Sequence, residues 1–164
     1  MKKIFIILLV FLFVLPVNAE LLEAGVAIDD VPKTLYGTWR INAKLNSTNS
    51  YKTFKPQSID FWNLSRTTDR IYLDNPYSGA NADISVKTVE GNLVVFSKKT
   101  PYGDNKILID TVNIRIDGDK FSGVNFLKLE SYSLVDNHLM KTETAEYLIT
   151  GEKIAGESII NDRY

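Results

Sequence analysis

His138 is the only histidine in the chain, two residues after Asp136 in the run Asp136-Asn137-His138. Imidazole is the side chain best suited to acid–base work near neutral pH and a common metal ligand. Its Asp and Asn neighbours are turn formers, so it reads as a solvated turn histidine. A Ser-His-Asp triad would have to use it, yet no Gly-x-Ser-x-Gly elbow supplies a nucleophile. A zinc site of several histidines is excluded. With no cysteine in the sequence, so are thiolate metal sites, cysteine catalysis and disulfide exchange. Asp117-Gly118-Asp119 lacks the alternating oxygen ligands and terminal glutamate of a calcium loop, and Asp-Gly is typical of a type I′ hairpin turn. Asp29-Asp30 reads as a solvated or helix-capping pair. Glu143 and Glu146 differ in parity, so on a strand they face opposite sides. The sequence therefore predicts no catalytic residue, no metal ligand and no cofactor.

Binding chemistry is better represented. Tyr36, Tyr51, Phe54, Phe61, Trp62, Tyr72 and Tyr77 crowd the first half of the β domain, with Tyr102 at its middle. Phe61 and Trp62 are adjacent, so on a strand one ring points inward and the other outward. The segment from Leu45 to Lys55 is rich in Ser, Thr, Asn and Tyr and is suited to cover the mouth of a barrel. Ordinary core packing accounts for such rings; so does an apolar cavity, or an exposed face for sugar or protein.

The elements that must position these residues are strands. From Tyr36 onward β-branched and aromatic residues alternate with polar ones. Trp39 and Ile41 share a face, as do Ile59 and Phe61, Ile71 and Leu73, and Ile84 and Val86. Val112, Ile114 and Ile116 alternate against Asn113, Arg115 and Asp117. Turn signals stand at Pro76-Tyr77-Ser78-Gly79, Glu90-Gly91-Asn92, Pro101-Tyr102-Gly103-Asp104, Asp117-Gly118-Asp119, Asp136-Asn137 and Thr150-Gly151-Glu152. The last of these echoes Asp117-Gly118-Asp119, as one turn geometry used twice. Ile107 and Ile109 lie on one parity and Val112 to Ile116 on the other, which predicts a bulge near Asp110-Thr111. Long antiparallel strands joined by short turns make a meander, and closing it removes exposed edges. The expected fold is all-β: a single-domain antiparallel β-barrel or strongly curved meander.

The N-terminus has a separate purpose. Lys2 and Lys3 precede an apolar run from Ile4 to Leu15, and Val17-Asn18-Ala19 offers small residues before Glu20. This is the layout of a cleavable secretory signal over residues 1–19, and the run is short of the ~20 residues a spanning helix needs. The expected destination is the periplasm or the cell exterior. Residues 20–35 form a lead-in, and 36–164 the β domain. Cleavage leaves 145 of 164 residues, enough for a core without staples. It also leaves 17 basic against 20 acidic residues with no basic block, so the footprint of a nucleic-acid binder is missing. No second apolar stretch is long enough to cross a membrane as a helix.

Gly37-Thr38-Trp39 opens the first strong strand. It resembles the Gly-x-Trp signature of lipocalins and related calycin barrels. That resemblance implies a tryptophan plugging the closed end of the barrel, with an arginine of a late strand over its indole. Arg115 is the arginine that the later strands offer. It also implies a non-enzymatic carrier of a small apolar ligand, with Trp39, Ile41, Phe61, Ile84, Val86 and Phe126 as the interior residues that would touch it. The alternative is an interaction module, an inhibitor or envelope accessory factor, that meets an envelope or host protein through outward aromatics. A hydrolase or isomerase on a β-barrel is third.

Overall fold

A computed structural model describes residues 26–68, 70–76 and 79–156. The predicted leader, residues 1–19, lies outside the described residues. Eight strands follow two short 3-10 turns, Ile28–Asp30 and Lys33–Leu35. They are β1 (Gly37–Thr48), β2 (Gln57–Arg66), β3 (Ile71–Asp74), β4 (Asn81–Glu90), β5 (Leu93–Pro101), β6 (Lys106–Asp117), β7 (Lys120–Tyr132) and β8 (Leu139–Ala155). Each pairs antiparallel with the next, and β1 pairs with β8, so the sheet closes into a barrel. The ring closes with gaps around the short β3: Gln57–Trp62 of β2 and Ser85–Glu90 of β4 have no partner on β3, and Asn81–Ile84 of β4 and Lys98–Pro101 of β5 do not pair with each other.

Alternation drives this arrangement. Trp39 and Ile41 on β1, Trp62 and Leu64 on β2, Ile71 and Leu73 on β3, Ile84 and Val86 on β4 are buried, as are Val94 and Phe96 on β5. Val112, Ile114 and Ile116 on β6, Phe121 on β7 and Ile149 on β8 complete the inner face. One end is packed solid by a column of rings. Trp39 lies 5.0 Å from Phe121, Phe121 stacks on Trp62 at 6.0 Å, and Trp62 meets Phe96 edge-on at 6.1 Å. The lead-in seals this end: Trp39 Nε1 donates to Leu35 O at 2.8 Å, and Arg66 reaches Ile28 O and Asp29. The cation over the Trp39 indole is Lys153 of β8, 4.8 Å from the ring centroid, and not Arg115. Arg115 is exposed and bonds Asn92 at a hairpin.

Three local expectations are corrected. Thr150-Gly151-Glu152 is not a turn; Gly151 is a buried residue within β8, where a Cβ would fall 2.2 Å from the Phe121 ring. The glycine is there to let that ring lie flat against the wall. No bulge interrupts β6 near Asp110, whose register with β5 and β7 is continuous. Ile107 and Ile109 simply face outward, and a carboxylate takes the inward position. Finally, Gly118 adopts positive φ at the first loop position alone, as in a type II′ rather than a type I′ turn, and Gly91 does the same in its hairpin.

Candidate functional site: a polar cavity in the upper barrel

Above the Trp62 ring the barrel is hollow. A cavity of about 220 Å³ lies between β1, β2 and the inner faces of β5 to β8. Ile41, Ala43, Leu108, Leu127 and Ile149 give it apolar walls, with the rings of Trp62 and Tyr147. Ser58, Asp60, Lys98, Asp110 and Asn125 share the same space. All five occupy inward positions on their strands, which is why the chain can place charge inside a barrel.

Lys98 on β5 and Asp110 on β6 are directly opposed in register, and Lys98 Nζ lies 3.4 Å from Asp110 Oδ2. The Asp110 side chain is buried, and its second oxygen, Oδ1, has no hydrogen-bond partner within the protein; nor does Asn125 Oδ1 across the ladder. Burial pushes the Asp110 carboxyl above its ordinary range, with the Lys98 ammonium and the Asn125 amide pulling the other way. Asp60 stands close enough for its charge to raise Asp110 further. Asp60 is itself well held: it accepts from Trp62 Nε1 at 3.0 Å and from the Asn75 amide. That bond fixes the indole that floors the cavity.

The β1–β2 loop, residues 49–56, packs against Tyr147 at this end of the barrel. Phe54 is buried, and Tyr147 Oη donates to Lys55 O at 2.8 Å. Glu143 of β8 anchors the loop, accepting from Ser50 Oγ and from Thr53 Oγ1 at 2.8 Å, with Lys141 Nζ 2.8 Å away. The Lys141 ammonium and these two hydroxyls hold its carboxyl down to about 2. A side cleft lies on the other side of Lys98. It is bounded by Asp83, Ile84, Ser97, Lys98 and Lys99, where the β4–β5 ladder stops, and Lys98 borders both spaces.

Of the six residues expected to line a ligand site, Ile41 alone lines this cavity. Trp39, Ile84 and Val86 point inward but belong to the solid core. Phe61 and Phe126 are corrections. Trp62 takes the inward position on β2, so Phe61 faces the other way. Asn125 and Leu127 take those on β7, and Phe126 is 46% exposed on the outer wall, where it borders an open groove of about 680 Å³ with Ile109 and Thr144. The charged residues that do line the cavity were missed, although each stands in phase with the apolar face of its own strand.

His138 belongs to the β7–β8 turn, with Nδ1 2.6 Å from Asp136 Oδ1 and both side chains largely exposed. Ser133 and His138 both act on Asp136 and hold its carboxyl below the ordinary range. The carboxylate thus stands between serine and imidazole, the wrong order for an imidazole to take a proton from the hydroxyl. No cluster of three or more His, Cys, Asp or Glu suited to a metal occurs among the described residues. No helix among them is long and apolar enough to cross a membrane. No protein-family model matches the chain, and no curated protein matches it at a significant level.

Proposed function

We propose that this chain is an exported, non-enzymatic, lipocalin-like barrel that binds one small ligand in the cavity above Trp62. The observation that carries this reading is the contrast between the two halves of the interior. The lower half is filled with apolar and aromatic side chains, as a purely structural barrel would be throughout. The upper half is hollow and carries Lys98, Asp110 and Asn125. Apolar residues of the same volume would serve stability equally well or better, because burying an ion pair costs desolvation that its attraction barely offsets. Retaining charge there is reasonable where something is bound. At about 220 Å³ the cavity is smaller than the ~300 to 1,000 Å³ of pockets for drug-sized ligands. That volume sets the ligand's scale at a small molecule.

The lipocalin likeness rests on Gly37-Thr38-Trp39, a cation of the last strand over the indole, and eight strands in sequential order. Export to the periplasm or the exterior rests on the sequence of residues 1–19. A second reading, a module that docks an envelope or host protein, draws support from the mouth, where Leu134, Val135, Leu139 and Met140 are exposed together.

Native mass spectrometry of the protein recovered from its own cell envelope separates the two. A stoichiometric small-molecule adduct is expected. A protein partner in its place favours the docking module, and a bare chain contradicts the carrier.

A further inference from the structure

Taking the cavity as a ligand site, we infer that its occupant is a small organic cation, a protonated amine whose N–H groups meet Asp110 and whose carbon body lies against Trp62. Three observations converge on this chemistry. The charged side chains lining the space are Asp60, Asp110 and Lys98, so carboxylates outnumber ammonium groups there. Asp110 is 5% exposed, and its Oδ1 makes no hydrogen bond within the protein, although the Asn125 amide lies close enough to favour the charged carboxyl. A buried carboxylate oxygen without a donor costs free energy that an incoming N–H recovers, and a charged donor recovers more than a neutral one.

The walls settle which kind of cation. Ile41, Leu108 and Leu127 are hydrocarbon, and Trp62 and Tyr147 present rings. A hydrated inorganic ion gains nothing from such a lining, whereas an amine carried on an aliphatic or phenyl group buries its body there. Ring faces also favour a nearby cation. An anionic ligand would have Lys98 to bind, but with Lys98 and Asp110 offsetting one another the remaining charge of the lining is that of Asp60, which would repel the newcomer.

Calorimetric titration with two matched series tests the inference. One is phenethylamine, 2-phenylethanol and phenylacetate; the other is butylamine, butanol and butyrate. Each trio holds shape nearly constant and changes charge. The expected result is that the amine binds at least tenfold more tightly than the alcohol in one series or both, with the carboxylate weakest. Asp110→Asn should bring amine and alcohol together. If that variant fails to fold, Asp60→Asn is expected to reduce the amine preference in the same direction. Equal binding of all three members overturns the cation while leaving the cavity a ligand site. A preference for the carboxylate overturns it in favour of Lys98, and an amine preference unchanged in the folded Asp110→Asn places the amine elsewhere. Failure of every probe to bind contradicts the ligand site itself, and the cation with it.

Discussion

Lys98 and Asp110 face one another across the β5–β6 ladder, 3.4 Å apart, with both side chains turned into the barrel. They are unequal partners. Asp110 is enclosed, while the Lys98 side chain keeps 19% of its surface exposed beside the side cleft. The lysine can therefore turn to bulk solvent if the pair is broken, whereas the carboxylate has only the confined space of the cavity.

That asymmetry predicts which half of the pair matters for folding. Lys98→Met leaves a buried, uncompensated carboxylate, and breaking a buried pair in this way costs about 3 to 5 kcal/mol at pH 7. The carboxyl of Asp110 is raised in the folded chain above the 3.8 of an ordinary aspartate. The native state therefore holds that proton more tightly than the unfolded one. Its favourable contribution is complete below 3.8 and is lost as pH climbs through the raised value. The penalty of Lys98→Met should accordingly shrink in acid. Urea unfolding at pH 7 and pH 5 checks this, and an equal loss at both pH values would mean the carboxylate is not what suffers.

Glu143 should govern the mouth with the opposite sign. Its carboxyl sits at about 2 in the folded chain against 4.5 for an ordinary glutamate. Its contribution is present above 4.5 and is lost as pH falls toward 2. Glu143→Gln is expected to flatten that part of the acid limb of stability. The same variant should speed amide exchange in residues 49–56, since Ser50 and Thr53 lose their anchor. Unchanged exchange there would show that the loop is held by Phe54 and Tyr147 instead.

Gly151 gives a packing test. Adding a methyl group requires the Phe121 ring to move, but that ring is wedged between Trp39 and Trp62. Gly151→Ala should cost about 1 to 3 kcal/mol by overpacking. Phe121→Leu in the same chain should recover part of it, so the double variant loses less than the two single losses combined. Additive losses in thermal unfolding would place the strain elsewhere.

These residues also mark what could be read from the sequence. Strand positions, the closed meander and the plug role of Trp39 followed from alternation, turn residues and the Gly-x-Trp opening, because these are local signals. Gly151 misled because a glycine between polar neighbours looks the same whether it makes a turn or admits a distant ring. Which of Phe61 and Trp62 points inward is decided by register with β1, where Trp62 pairs with Trp39. The most informative failure is β6. The parity of Ile107 and Ile109 implies a bulge only if charge is kept off the inner face. Kept in phase with Val112 and Ile114, Asp110 points into the barrel, and the same parity applied to Phe96 puts Lys98 inside. A charge in phase with an apolar stripe was the sequence signature of the site.

The central claim is that the space above Trp62 binds a ligand, and it can be tested by filling it. Ala43 lines the cavity from β1 and has no polar role. Ala43→Phe should occupy much of the space while the lower core stays intact. The decisive measurement is calorimetric titration of the wild-type chain and Ala43→Phe with phenethylamine and 2-phenylethanol, after cooperative unfolding confirms that the variant is folded. Binding at one site per chain in the wild type, lost in Ala43→Phe, is the predicted result. Equal binding by the two chains, or none by the wild type, would contradict it.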